Sequence, residues 1–182
     1  DTKIKQLSEN LKFIESTRHL GVESDFAALI KKHSHELAEL NFQLGVQYEK
    51  SKKYDKAIPH YSTAKGFAEV SSSTKTFYNS IVRIGICKLK AKPKDIEFSS
   101  FADFNKADQK YTQDFFYRYI LFQLKKDAFV ETESILNGPL NLPNKTIEKF
   151  KEFVKTKKIR NAVKNVKGIN TTIDQLYDRS FP

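Results

Sequence analysis

The sequence contains a single cysteine and no methionine or tryptophan. Cys87 alone cannot form an internal disulfide or a cysteine-based zinc site, which favours a reducing compartment over secretion. There is no apolar run of about 18 residues, the length that a membrane-spanning helix needs, and no secretory leader pattern at the start. We therefore expect an intracellular, most simply cytoplasmic, protein without a transmembrane segment. Because the sequence opens at Asp1 without Met, we also expect it to belong to a longer chain or a larger complex.

Glycine and proline are also scarce, at 6 and 5 of 182 residues. They fall between long stretches in which apolar residues recur every three or four positions, the period of an amphipathic helix. This pattern predicts an all-α fold. The first expected helix runs from about residue 4 to 19–21, and the second from about 24 to 50, either unbroken or with a kink near the histidines. The others run from 54 to 71–73, from 74 to 90, from 111 to 126, from just after Asp127 to 137–139 and from 144 to 166, with a break at Pro93.

Local signals refine two of these boundaries. Ser24 and Asp25 are candidates for the N-cap of the second helix. Pro59 is expected close to the start of the third helix, because an interior proline costs about 3 kcal/mol.

One segment indicates a repeat. From Asn41 the chain reads NFQLGVQYEKSKKYDKAIPHYSTAK. It resembles a tetratricopeptide repeat at six of eight signature positions, namely Leu44, Gly45, Tyr48, Ala57, Tyr61 and Ala64. Asn41 stands where that family prefers tryptophan, and Glu69 stands where it prefers proline. The clear repeat covers about 38–71.

The same residues make physical sense as a helical hairpin. Gly45 and Ala57 are small where two antiparallel helices would cross most closely, and Leu44, Tyr48 and Tyr61 are large enough to fill the neighbouring gaps. A glycine inside a helix costs about 1 kcal/mol relative to alanine, and close helix contact is a reason for it.

Two weaker copies follow. One includes Ile84, Gly85 and Lys88, forty residues after the first glycine, and the other spans Leu121 to Leu136. The resemblance implies helix pairs stacked into a right-handed superhelix. We expect a repeat domain at 1–140 and a basic helical extension at 141–182 that packs on the last repeat.

The resemblance also implies a function. The concave face of such a superhelix binds an extended or helical segment of a partner protein. The groove-facing positions would be Glu39, Phe42, Val46, Glu49, Asn79, Arg83, Ile86 and Lys90. Repeats that clamp the carboxylate tail of heat-shock chaperones have lysine and asparagine in place of Phe42 and Val46, so that role is disfavoured.

No constellation for catalysis is visible. The sequence has no phosphate-binding loop, nucleophile elbow or zinc-protease motif. His33 and His35 are two apart and point about 200° apart on a helix, so they do not share a metal easily. Cys87 lies in an apolar run and is expected to be a buried thiol. We expect no enzyme, cofactor or metal.

Aromatic residues cover almost every face of one helix, at Phe115, Phe116, Tyr117, Tyr119 and Phe122. A helix that is apolar all round is normally buried, so we expect a core helix. The alternative is a patch that meets a partner or a second copy of the chain.

The net charge of +10 is concentrated near the end of the chain. Residues 145–167 contain nine basic and two acidic residues. This helix could cap the superhelix, bind nucleic acid, or bind an acidic protein or lipid surface. The candidates for contact with nucleic acid or an acidic partner are Lys149, Lys155, Lys157, Lys158, Arg160 and Lys164. Phe150 and Phe153 fit packing as well as base stacking.

The sequence thus predicts a non-enzymatic interaction module that binds a partner peptide or helix. The alternative is a nucleic-acid-associated helical protein that uses the basic helix. A regulator that senses a short signalling peptide is a third option.

Overall fold

The structure, a computed structural model, describes residues 2–17, 23–91, 98, 101–138 and 142–162. These residues form seven α-helices and a short 3-10 helix, Phe104–Lys106, and contain no strand. The helices are α1 (Thr2–Thr17), α2 (Glu23–Lys50), α3 (Tyr54–Val70), α4 (Thr74–Lys90), α5 (Gln109–Lys125), α6 (Phe129–Asn137) and α7 (Asn144–Ala162). The predicted all-α class is confirmed for this part of the chain. None of the described helices has the length and apolar character to cross a membrane.

The chain divides into two compact units, Asp1–Asp108 and Gln109–Pro182. The first contains α1 to α4 and the 3-10 helix, and the second contains α5 to α7. The domain boundary expected after residue 140 falls in 139–141, outside the described residues, and stays a prediction.

Most helix boundaries follow the predicted pattern. The fourth helix begins and ends at the predicted residues, and the sixth ends at Asn137, where its predicted stop signal begins. The second helix runs unbroken to Lys50 but begins at Glu23, so Ser24 and Asp25 lie inside its first turn and are not its N-cap. The expected end of the first helix at 19–21, the break at Pro93 and the last helix beyond Ala162 lie outside the described residues.

Neighbouring helices of the first unit pack in pairs. α3 contacts both α2 and α4, and α2 also contacts α4. α1 packs on α2 through Leu7 and Leu11, which are buried with Leu37. Leu7 and Leu11 are four residues apart on α1, and Leu37 packs against them from α2. This is the contact expected when two helices pack along their apolar stripes.

The turns after α2, α3 and α5 have the same backbone geometry. Lys52, Ser72 and Asp127 have φ angles of 57°, 57° and 58°, in the left-handed region. Each turn is closed by an amide that donates to the carbonyl five residues earlier, as in a Schellman motif. These bonds run from Lys53 to Tyr48, from Ser73 to Ala68 and from Ala128 to Gln123. The α5–α6 pair, one of the weaker repeat copies, therefore shares the turn of the clear copy.

Pro59 lies in the second turn of α3, one turn beyond the first turn, where a proline breaks no backbone hydrogen bond. Proline lacks the N–H that would bond to the carbonyl of Asp55. The exposed ring lies on the outer side of the helix.

The second unit has an aromatic core. Phe115, Phe116, Tyr117 and Tyr119 on α5 are all buried, as predicted for a core helix. The ring of Phe150 on α7 meets that of Tyr117 edge to face, with centroids 4.9 Å apart. Phe150 and Val154 are buried, so packing accounts for this part of the apolar stripe of α7.

Candidate functional site

The α2–α3 hairpin closes around Gly45. A Cβ atom at this position would lie 2.6 Å from Cε1 of Tyr61, closer than carbon atoms pack. Ala57, Tyr61 and Ala64 are fully buried. Glycine therefore lets the tyrosine ring lie directly against the α2 backbone.

The phenol of Tyr61 leads to a charged network at one end of this hairpin. Its hydroxyl donates to Oε2 of Glu49 at 2.9 Å. From α4, Arg83 donates to the same carboxylate at 3.0 Å and Lys90 at 2.8 Å. We call Glu49, Tyr61, Arg83 and Lys90 the Glu49 network. It joins α2, α3 and α4.

Burial and charge act in opposite directions on Glu49, which is 7% exposed. Burial raises the pKa of its carboxyl, but the charge of Arg83 and the contacts with Lys90 and Tyr61 outweigh it and lower the pKa below 4.5. Glu49 is therefore ionised at neutral pH. For Tyr61, burial and the charge of Glu49 raise the pKa of the phenol, so it remains a donor.

Cys87 lies beside this network, in a cluster with Ala57 and Tyr61. It is fully buried, as predicted. Burial and then the charge of Glu49 raise the pKa of its thiol to about 12. A thiol that is neither exposed nor ionised is a poor nucleophile.

Four of the eight predicted groove residues lie on α2 and four on α4, and much of their surface is buried within the protein. Ile86 is fully buried, and Asn79 and Glu49 are nearly so. Phe42 and Val46 are half-buried and provide the apolar centre. The other half-buried members are Glu39, Arg83 and Lys90.

Several of these residues have partners within the first unit. Thr76 donates to the carboxylate of Glu39. Asn79 donates to the Asp108 carboxylate at 2.9 Å and accepts from the Asp108 amide at 2.8 Å. Phe42 meets the Tyr61 ring edge to face, with centroids 5.4 Å apart. Of the predicted groove residues, Glu49, Arg83 and Lys90 thus come together, whereas Glu39, Phe42 and Asn79 contact residues outside the predicted set.

The predicted basic residues have different environments. Lys149 and Lys155 are exposed. Lys157 is buried; it donates to the Leu124 carbonyl and lies 2.7 Å from the Asp127 carboxylate. The side chains of Lys158 and Arg160, and all of Lys164, lie outside the described residues.

The histidines near the start of α2 make separate contacts. His35 is hydrogen-bonded to the Ser73 hydroxyl at 2.7 Å, and Ser73 is hydrogen-bonded to Ser71. His33 is half-buried. Among the described residues, no group of three or more His, Cys, Asp or Glu side chains is arranged to hold a metal ion.

Sequence reasoning missed two features of these sites. Glu49 was expected to face a partner, but it binds Arg83 and Lys90, which follow it by 34 and 41 residues. Lys157 was expected on the surface, but it meets the end of α5 and the left-handed Asp127. Periodicity within one helix does not show which charges meet across helices.

Comparisons of the chain with protein-family models, curated proteins and solved structures found no match.

Proposed function

We propose that the chain is a non-enzymatic interaction module, a tetratricopeptide-like repeat that binds a peptide or helix of a partner protein in the concave groove of a right-handed superhelix. The observation that carries the proposal is the α2–α3 hairpin, in which Gly45 admits the Tyr61 ring. The six signature residues of the resemblance include this pair. α4, which contacts both helices of the hairpin, has the place of the first helix of a second repeat.

The partner surface is centred on Phe42 and Val46. Both are apolar and half-buried, so they keep some surface for a partner. The Glu49 network and the Asn79–Asp108 pair hold α4 and its surroundings in place beside them. In this arrangement the buried groove residues Glu49 and Asn79 fix the geometry of the site, and recognition of the partner depends on shape and apolar contact.

The proposal places the module in the cytoplasm and assigns it no cofactor. In this scheme the basic α7 covers the α5–α6 pair of its own unit, because Phe150 packs against Tyr117 of α5.

Partner capture with matched variants tests the proposal. The chain is used as bait in extract of its native source, treated with nuclease, at low and at physiological salt. Val46→Ala removes apolar surface from the proposed groove, and Val70→Ala makes the same change at a residue that is 57% exposed at the end of α3. Circular dichroism of each variant establishes that it is folded.

The proposal predicts a protein that binds the wild type and Val70→Ala equally, binds Val46→Ala several-fold more weakly, and depends little on salt. Binding that disappears after nuclease treatment would instead support the nucleic-acid alternative. Equal binding of a partner to both valine variants would place its site outside this groove.

A further inference from the structure

Lysines from two distant parts of the sequence lie at the same end of the first unit. Lys50, Lys52 and Lys53 lie at the end of α2 and in the turn after it, and Lys88 lies in the last turn of α4. The ion pair of Lys90 with Glu49, at 2.8 Å, brings the ends of α2 and α4 together. We define the basic end as Lys50, Lys52, Lys53, Lys56 and Lys88.

This end has a large excess of positive charge. Residues 49–56 and 83–91 contain seven basic and two acidic residues. The sequence alone assigned the charge excess to residues 145–167, because periodicity does not show that Lys88 lies at the same end as the lysines of residues 50–56. In the folded unit the ion pair between Lys90 and Glu49 places the five lysines at the same end of the helices.

The five lysines of the basic end are exposed. None of them forms an ion pair within the described part of the chain. Glu49 does not neutralise them, since its carboxylate is turned inward to Tyr61, Arg83 and Lys90. The partial negative charges of two helix C-termini offset only part of the excess.

We propose that the basic end is a docking surface for an acidic segment, rich in aspartate and glutamate, of a partner protein. The inference rests on the proposed function in that the partner is a protein, but it concerns the helix ends and not the groove around Val46. Lysines are suited to an acidic segment without fixed geometry, because each ammonium is a mobile point charge.

Two other anionic partners fit this surface less well. Single-stranded nucleic acid needs exposed aromatic rings for stacking. The nearby Tyr48 is stacked on His60, and Tyr54 packs against the Ala57 cluster. A membrane surface calls for exposed apolar side chains, but the large exposed ones of the described residues, Phe13, Leu29, Val70 and Val130, are not at the basic end.

A polyglutamate titration tests the proposal directly. A short fluorescein-labelled polyglutamate peptide is added to the whole chain, and its anisotropy is measured at low salt and at about 0.15 M salt. The double variant Lys53→Glu/Lys88→Glu reverses two charges of the basic end. The matched control, Lys31→Glu/Lys32→Glu, makes the same change at two exposed lysines in the first half of α2.

We expect the Lys53/Lys88 variant to bind the peptide about tenfold more weakly and the control to bind within about twofold of wild type. Circular dichroism establishes that both variants fold. Equal weakening in both variants would reduce the effect to net charge and overturn the proposal. It would also be overturned if a duplex DNA, or vesicles of anionic lipid, competed with the peptide more strongly than unlabelled polyglutamate does.

The result is independent of the groove. Val46→Ala should leave polyglutamate binding unchanged. If the groove proposal is wrong, Val46→Ala will not weaken binding of the captured partner. If the basic-end proposal is wrong, Lys53→Glu/Lys88→Glu will not weaken polyglutamate binding more than the control variant does.

Discussion

The ring of Tyr61 occupies the space in which residue 45 would place a Cβ atom, 2.6 Å from Cε1. The Tyr61 ring has little room to shift, because it is fully buried and its hydroxyl donates a hydrogen bond to Glu49. One glycine therefore sets how closely α2 and α3 approach.

Gly45→Ala should destabilise the fold by about 2 kcal/mol, since the added methyl group overpacks a closed core. The control is Gly66→Ala on α3, where an added Cβ would have no packing neighbour within 4 Å apart from the adjacent backbone of its own helix. Because alanine favours helix more than glycine does, the control should gain about 0.5 to 1 kcal/mol. Urea unfolding of the two variants measures both changes. Equal stability of the two would contradict the close contact.

Glu49 should make stability depend on pH. Its pKa is lowered in the folded state, so its ionisation stabilises the fold above the ordinary value of 4.5, and this contribution is lost as the pH falls through the lowered pKa. Glu49→Gln should therefore cost about 2 kcal/mol at pH 7 and progressively less in acid. The measurement is urea unfolding at several pH values. Glu69→Gln removes a carboxylate at an exposed residue of α3 and, as the control, should change stability by less than about 0.5 kcal/mol at pH 7. If the cost of Glu49→Gln were the same at neutral and acid pH, the ionised Glu49 network would not be what stabilises the fold.

The sequence predicted the helices well because each has an apolar stripe that needs no information from elsewhere. α4 is an example: Ile86 and Val82 recur at helical spacing and are buried. The hairpin was predictable for the same reason, since Gly45, Ala57 and Tyr61 lie in one short segment.

The rest depends on contacts that periodicity does not contain. The Glu49 network joins residues on three helices, and Lys157 reaches a carbonyl 33 residues earlier. The left-handed turns were also not visible, because Lys52, Ser72 and Asp127 occupy positions where glycine is the usual signal.

Those turns lead to a prediction. The left-handed conformation costs a residue other than glycine about 1 kcal/mol. Lys52→Gly and Ser72→Gly should therefore each stabilise the fold by about 0.5 to 1 kcal/mol. Thermal unfolding measures the gain. Ser51→Gly, next to the turn but in no left-handed position, serves as the control and should not stabilise. A loss of stability in both turn variants would count against the turn geometry.

Lys157 should stabilise the second unit. Its ammonium meets the buried Leu124 carbonyl and the exposed Asp127 carboxylate, so Lys157→Gln should cost about 2 kcal/mol, chiefly by leaving the Leu124 carbonyl without its charged donor. Lys155→Gln changes an exposed lysine two residues away and should change stability by less than about 0.5 kcal/mol. Chemical unfolding of both variants decides the point. If Lys155 proved the costlier residue, the burial of Lys157 would be contradicted.

Hydrogen exchange with a captured partner tests the interaction role most directly. Amide exchange is compared for the free and the bound chain, followed peptide by peptide with mass spectrometry. We predict slower exchange on binding in residues 39–50 of α2 and 79–90 of α4, with little change in α7. Slowing confined to α7, with α2 and α4 unaffected while the partner is bound, would contradict the groove.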